Sequence, residues 1–340
     1  MRVAVTGATG NVGSALLRAL RSAQPDWEVG GIARRPPEAP SAATATDISW
    51  SSVDIAEPGS ADALGAAFAG ADAVVHLAWA IQPNRDQAYL AQVNLDGTRR
   101  VIDAARAAGA AHLVVASSIG AYSPAPAKPV VDESWPTTGI RSSHYSRHKA
   151  AVERMLDAYE GAGPVPVVAR LRPGLVLQPG AGSEIGRYFL GRLAPLARAA
   201  RAALPVLPLP DGVVANVVHA DDLADAIVRI LQRRAGGAFN IAADEPIDPG
   251  TIARSLRARR VPVPFPLLRA GTELSWRAHL QPTDGGWLDM ARYVPLMSTA
   301  RAKAELGWAP RHTAEETLTS LIDALADGTG WTTPVLAPRR

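Results

Sequence analysis

Apolar positions follow two rhythms along this chain. In the first half, short runs of β-branched and small apolar residues alternate with Ala-rich stretches whose apolar positions recur at helical spacing. Val3–Val5, Trp27–Ile32, Ala73–Leu77, His112–Ala116 and Val165–Leu171 read as strands. Asn11–Leu20, Ala61–Ala69, Arg85–Ala108 and Ser142–Tyr159 read as helices, the third closed by Gly109. Strand and helix in alternation imply a parallel sheet with helices on both faces. Strands that are apolar throughout suit a sheet covered on both sides.

The second half is less regular. Pro, Gly and Arg crowd residues 173–215. Helices return at Asp222–Leu231, Ser298–Leu306 and Thr313–Ala326. Ser298 is placed to cap the second of these and Gly307 to end it. Thr313-Ala-Glu-Glu316 has the spacing of a capping box. Phe239–Ala242 reads as a late strand that rejoins the sheet, and residues 331–340 as a loosely held tail.

Composition narrows the function classes. At 340 residues and 47% hydrophobic, the chain is long and apolar enough for a large α/β unit, which excludes general disorder. The absence of cysteine excludes disulfides, cysteine metal sites and a thiol nucleophile, and is compatible with a cytoplasmic location. No metal is expected. The 35 basic residues outnumber the 32 acidic ones by three and are scattered; Lys128, Lys149 and Lys303 are the only lysines. Nucleic-acid binding needs clustered cations, so no such partner is expected. No apolar stretch is long enough to span a bilayer and the opening residues lack a signal-peptide layout, so no membrane partner is expected either.

The first chemistry-bearing motif is Thr6-Gly7-Ala8-Thr9-Gly10-Asn11-Val12-Gly13, between the first strand and the first helix. Glycines there let the backbone turn tightly, approach a pyrophosphate and pack helix on strand. The helix N-terminus adds N–H groups and a positive dipole end. The second strand runs into Arg34-Arg35, with no carboxylate at its end. Guanidinium groups suit a 2′-phosphate, so NADP is expected in preference to NAD.

The second motif is Tyr145-Ser-Arg-His-Lys149, which places a phenol and an amine one turn apart on one helical face. A nearby ammonium is expected to lower the phenol's pKa from its ordinary value near 10, which fits proton exchange with a carbonyl or hydroxyl oxygen. Ser117-Ser118 closes the fourth of the strands above, where open α/β sheets present ligand groups.

TGxxGxxG, YxxxK and the SSxxxY segment ending at Tyr122 together resemble the extended short-chain dehydrogenase/reductase superfamily, the NAD-dependent epimerase/dehydratase type. The resemblance is good over residues 1–245. It implies a Rossmann-type doubly wound sheet from 1–172, rejoined by 213–245, with a smaller, irregular substrate-binding part from 173–212 and 246–330. It assigns catalysis to Ser118, Tyr145 and Lys149, with Asn94 of a VNxxGT helix in a water-linked proton path to the lysine. Thr6, Gly7, Thr9, Gly10, Asn11, Val12 and Gly13 then bind cofactor, joined by Arg34, Arg35, the Asp54-Ile55 pair beside the adenine, Leu77, Ala78, Trp79, Tyr145, Lys149 and Pro173. Trp79, Ser118, Tyr145, Gly174 and Gln178 face substrate, and Trp276 and Trp287 shape specificity. His219-Ala-Asp-Asp222 resembles the family's helix-capping HVxD. A homodimer is a further family expectation.

The chain departs from nucleotide-sugar members in three places. Ile119-Gly120 follows Ser118 where dehydratases carry Asp-Glu, Ala215 stands where a diphosphate-binding Arg is frequent, and the usual tyrosine-glycine pair is missing from the segment 172–179. The expected activity is hydride transfer between nicotinamide and a carbonyl or alcohol of a small organic substrate, with tyrosine as acid/base. An epimerase using transient oxidation, and a non-catalytic dinucleotide-binding regulator, are the alternatives.

Overall fold

A computed structural model describes residues 1–38, 48–82, 84–161, 166–189, 206–327, 330, 333 and 335–337. Seven parallel strands form one sheet: β1 Arg2–Thr6, β2 Glu28–Ala33, β3 Ser49–Ser52, β4 Ala73–His76, β5 His112–Ala116, β6 Val167–Pro173 and β7 Gly237–Ile241. Their spatial order is β3-β2-β1-β4-β5-β6-β7. The order reverses between β1 and β4, and a crevice at the carboxyl ends of those strands is where ligands bind in such sheets. The seventh strand is the late one expected from Phe239–Ala242; it pairs with β6 from Gly237 opposite Ala169 to Ile241 opposite Pro173.

Both faces of the sheet are covered because the strands are apolar on both. On one face, α1 (Asn11–Ala23) packs Leu16, Leu17 and Leu20 into a core shared with Ala224, Ile227 and Leu231 of a later helix, Ala220–Arg233. On the other, Leu64 and Phe68 of α2 (Ala61–Phe68) meet Val101, Ile102, Val152 and Leu156. A fully buried leucine or phenylalanine contributes about 1.5–3 kcal/mol, so these two layers dominate the fold's stability.

The helix expected over Arg85–Ala108 is broken into three: α3 (Gln87–Ala91), a π-helical turn Gln92–Gly97, and α4 (Thr98–Ala107). The insertion has a cause outside the segment. The Asn94 side chain accepts from Ala80 N and donates to Ala80 O, both at 2.8 Å, while a side chain at Gly97 would lie 2.9 Å from Ile55. Such bulges accompany functional sites in helices.

α5 (His144–Gly161) carries Tyr145 and Lys149. The capping box at Thr313 forms in both directions, Thr313 N to Glu316 and Glu316 N to Thr313 Oγ1. Gly307 ends its helix at φ +60°. Ser298 sits one place early: the N-cap is Thr299, and the Ser298 hydroxyl accepts from Ala300 N at 3.3 Å.

The last residues are not loose where they are described. Thr333 and Leu336 are wholly buried, and the Thr333 hydroxyl donates to Thr9 O at 2.9 Å. Arg187, on α6 (Gly182–Phe189), donates to the carbonyls of Val335 and Ala337. Among the described residues, no helix is long and apolar enough to cross a membrane.

Candidate active site

The glycine loop supplies the floor of a cavity with a volume of about 670 Å³. Gly7 sits at φ +72°, and a Cβ there would lie 2.6 Å from Ala78 N. A Cβ on Gly13 would lie 2.3 Å from Gly7 O, so α1 could not pack this close to β1. Gly10 is the N-cap of α1 and offers no side chain to the N–H groups of the first turn. The loop is thus bare on the side that faces the cavity, as a dinucleotide pyrophosphate at a helix N-terminus requires.

Gly7, Gly10, Asn11, Val12 and Gly13 line this cavity, as do Leu77, Trp79, Pro173 and Gly174. Other residues expected at the cofactor stand behind the wall. The Thr6 hydroxyl is buried and bonds to His76 Nδ1 at 2.7 Å; Thr9 is buried under Thr333. Burial, then Lys149, pushes His76 down to about 3, so its ring is neutral between Thr6 and Thr98.

Arg34, Arg35, Asp54, Ile55 and Ala78 do not line the cavity. Arg34 donates to Tyr89 Oη at 2.6 Å and lies 3.9 Å from the Asp54 carboxylate, while Arg35 is exposed. Gln178, expected at the substrate, is instead a brace between layers: it donates to Asn11 O at 2.7 Å and accepts from Arg18 at 3.0 Å.

The sheet's carboxyl end brings Ser118, Tyr145 and Lys149 to the same cavity. Ser118 follows β5 in extended backbone, its Oγ accepting from Gly120 N at 3.0 Å. It shares the cavity wall with Tyr145. The preceding Ser117 points the other way and donates to Glu153 at 2.5 Å. Gly120 fits closely beside them: a Cβ there would lie 3.0 Å from the Tyr145 ring and 3.1 Å from Met290 Sδ.

Lys149 is buried, donates to Ala116 O at 2.8 Å and rests its Nζ 3.4 Å from the Trp79 ring centroid. Burial pushes it down to about 7, opposed by the Glu153 carboxylate four residues along α5. The expected effect of Lys149 on the phenol is not what the structure holds. Tyr145 is raised above its ordinary value by burial, and the Ser118 hydroxyl works against the rise. The ammonium is aimed at Ala116 O and Trp79, with Nζ 5.8 Å from the phenol ring centroid, so desolvation outweighs it.

Glu153 anchors this arrangement from below. It is wholly buried and accepts from Arg172 at 2.8 Å and 3.0 Å and from Arg170 at 3.2 Å. Asn94 holds Ala80, next to Trp79, and through it the cavity wall.

Several wall residues carry no signature in the sequence. Glu184 and Tyr188 enter from α6; burial raises the Glu184 carboxyl to about 7, with the Tyr188 hydroxyl donating to it at 2.8 Å. Asp284 caps the helix Gly285–Tyr293 through Gly286 N. A Cβ on Gly286 would lie 2.4 Å from Ser142 O, so this helix stands against the start of α5 at backbone distance. That approach sets Trp287 at 5.1 Å from the Tyr145 ring, centroid to centroid. Trp276 does not line the cavity and stacks with Arg85 instead. Lys128 pins the far end of the same helix, donating to Val214, Ala291 and Val294 carbonyls at 2.7–3.0 Å. His219 accepts from Asp221 N, the capping role its motif implies.

Glycine loop, parallel sheet and a Ser/Tyr/Lys set thus meet in one crevice. The chain belongs to the NAD dependent epimerase/dehydratase family, whose model matches residues 3–242. It is 31% identical to the 3-diazoavenalumate denitrifying reductase of a Streptomyces species, over 92% of this chain and 97% of that one. It is 30% identical to the ceramide reductase of Caulobacter vibrioides, over 66% of this chain and 59% of that one. In fold it is similar to the UDP-glucose 4-epimerase of Thermus thermophilus in complex with NAD, with a TM-score of 0.68, 23% identity and coverage of 96% and 99% of the two chains.

Proposed function

We propose that the protein is an NADP-dependent oxidoreductase that reduces a carbonyl of a small organic compound, or oxidises the corresponding alcohol. The observation that carries this reading is the convergence of Ser118, Tyr145 and Lys149 on the cavity floored by the glycine loop. The bare loop fits a dinucleotide, which Gly7, Gly10 and the first turn of α1 would hold in the cavity that Tyr145 and Lys149 also line. A bound nicotinamide supplies the hydride in reduction and takes it in oxidation.

The protein's part is to hold the oxygen and move the proton. Ser118 and Tyr145 hydroxyls grip the substrate oxygen from one side. As the carbonyl carbon gains the hydride, its C=O π bond opens and the oxygen takes the Tyr145 proton, forming C–H and O–H bonds. The phenol held above its ordinary value stays protonated at neutral pH, which suits an acid. Lys149, one turn along α5 and held near 7 by burial, then relays a proton back toward Tyr145. In the family's reading Asn94 belongs to that path; here its amide also fixes the Trp79 wall.

NADP is favoured by Arg34 and Arg35 at the end of β2, although Arg34 shares its charge with Asp54. Titration of NADPH against NADH checks this; tighter NADH binding reverses the preference. A carbonyl and alcohol panel read by nicotinamide absorbance checks the reaction. Tyr145→Phe is expected to lose at least about 100-fold in kcat with cofactor binding retained. Cofactor that survives purification, with no net turnover of any carbonyl, points instead to epimerisation.

A further inference from the structure

We infer that the substrate is an uncharged carbonyl compound with a planar, conjugated or aryl group, seated against Trp287 and Trp79 beside the catalytic phenol. This rests on the reductase reading above and names its substrate class.

The wall around Tyr145 is aromatic. Trp287 lies 5.1 Å from its ring at a 39° tilt, and Trp79 lies 5.9 Å away, nearly perpendicular at 74°. Met290 closes the corner, its sulfur within 3.1 Å of where a Gly120 Cβ would be. Leu288, Ala291 and Val294 continue the apolar surface. Rings set at such angles offer faces and edges to a flat π-system, and a thioether adds a polarizable contact.

Gln281, Ser275 and Thr283 in the cavity lining are already engaged with one another. Gln281 donates to Thr272 O at 3.0 Å and to Ser275 Oγ at 3.2 Å, and accepts from Thr283 Oγ1 at 2.5 Å. A polyhydroxylated substrate would have to break these bonds to gain its own.

Charge points the same way. Among the described residues, the cavity lining holds one cationic side chain, Lys149, which is buried and turned toward Ala116 O. It holds two acidic ones, Glu184 and Asp284. Away from the glycine loop, whose helix N-terminus can receive the cofactor's pyrophosphate, the lining offers a substrate diphosphate no guanidinium group. Ala215, in the same wall, presents a methyl group where a cation would serve.

The test uses the whole chain with NADPH and three probes: 4-phenylbut-3-en-2-one, hydroxyacetone and UDP-glucose. Binding is read by calorimetry and turnover by nicotinamide absorbance. The aryl enone is expected to bind at least about tenfold more tightly than either other probe, since one aromatic contact is worth about that factor. Trp287→Ala is expected to raise its KM about tenfold and to raise the hydroxyacetone KM by much less. Trp287→Phe keeps a ring and is expected to recover most of the loss; it also carries the test if the alanine variant fails to fold. Tighter binding of UDP-glucose or hydroxyacetone overturns the inference, as does an unchanged enone KM in Trp287→Ala. Selective enone binding without turnover of any carbonyl leaves the recognition standing and defeats the reductase reading instead.

Discussion

Glu184 shows how far burial can alter a single side chain here. Its carboxyl lines the cavity, is raised to about 7, and is joined by the Tyr188 hydroxyl. In the unfolded chain it titrates near its ordinary value of 4.5. Between these values the folded protein binds more protons, so this group's contribution to stability is full below about 4.5 and is lost as pH rises through about 7. Glu184→Gln cannot ionise. The variant is expected to gain stability relative to the parent across that window, by on the order of 1–3 kcal/mol, with the difference levelling off above it. Thermal melts from pH 4 to 8 measure this; a difference that is flat with pH disproves it. Lys149 has the opposite sign. Its folded value near 7 lies below the ordinary 10.5, so its burial costs stability below about 7, and that cost fades as pH rises toward 10.5.

At the scale of elements, the junction of β1 with α1 is the most tightly constrained. Gly13→Ala would place a methyl carbon 2.3 Å from Gly7 O and 2.7 Å from Ala8, both backbone, so the helix must back away from the strand. A loss of about 2 kcal/mol or more in stability is expected, together with a loss of dinucleotide affinity. Denaturant melts and an NADPH titration read the two effects separately. Gly65, in α2, has nothing within 4 Å of its Cβ position; Gly65→Ala is expected to be neutral or stabilising by up to about 1 kcal/mol.

The same scale shows what the sequence makes legible. Strands, the glycine loop and the Tyr145/Lys149 face depend on neighbours a few residues apart, so local pattern reveals them. The π-helical turn does not, because its cause is a bond from Asn94 to Ala80 and the approach of Ile55 to Gly97. The family resemblance makes Gln178 a substrate contact, but a bond 167 residues back along the chain claims it. The upward shift of Tyr145 is equally nonlocal, for it comes from side chains packed around it rather than from Lys149 one turn away.

For the whole molecule, the ties from end to end matter. Thr333 reaches Thr9 across 324 residues of sequence, and Arg187 fastens the same late segment to α6. A chain stopped after Asp327 loses the buried Thr333 and Leu336 side chains. A loss of about 2–4 kcal/mol in stability is expected, with weaker NADPH binding because the loop carrying Thr9 is no longer held. Melting and titration of the shortened protein check both, and unchanged values in the two would show that the contact is idle.

Gly286 limits the direction in which this protein can change. The helix bearing Trp287 and Met290 already touches Ser142 through bare backbone, so no substitution can draw it nearer to Tyr145. Any side chain added at this contact pushes the helix carrying Trp287 away from Ser142. Variation at one position can therefore admit bulkier molecules than the parent accepts, while a preference for slimmer ones has to be built from within the gap itself.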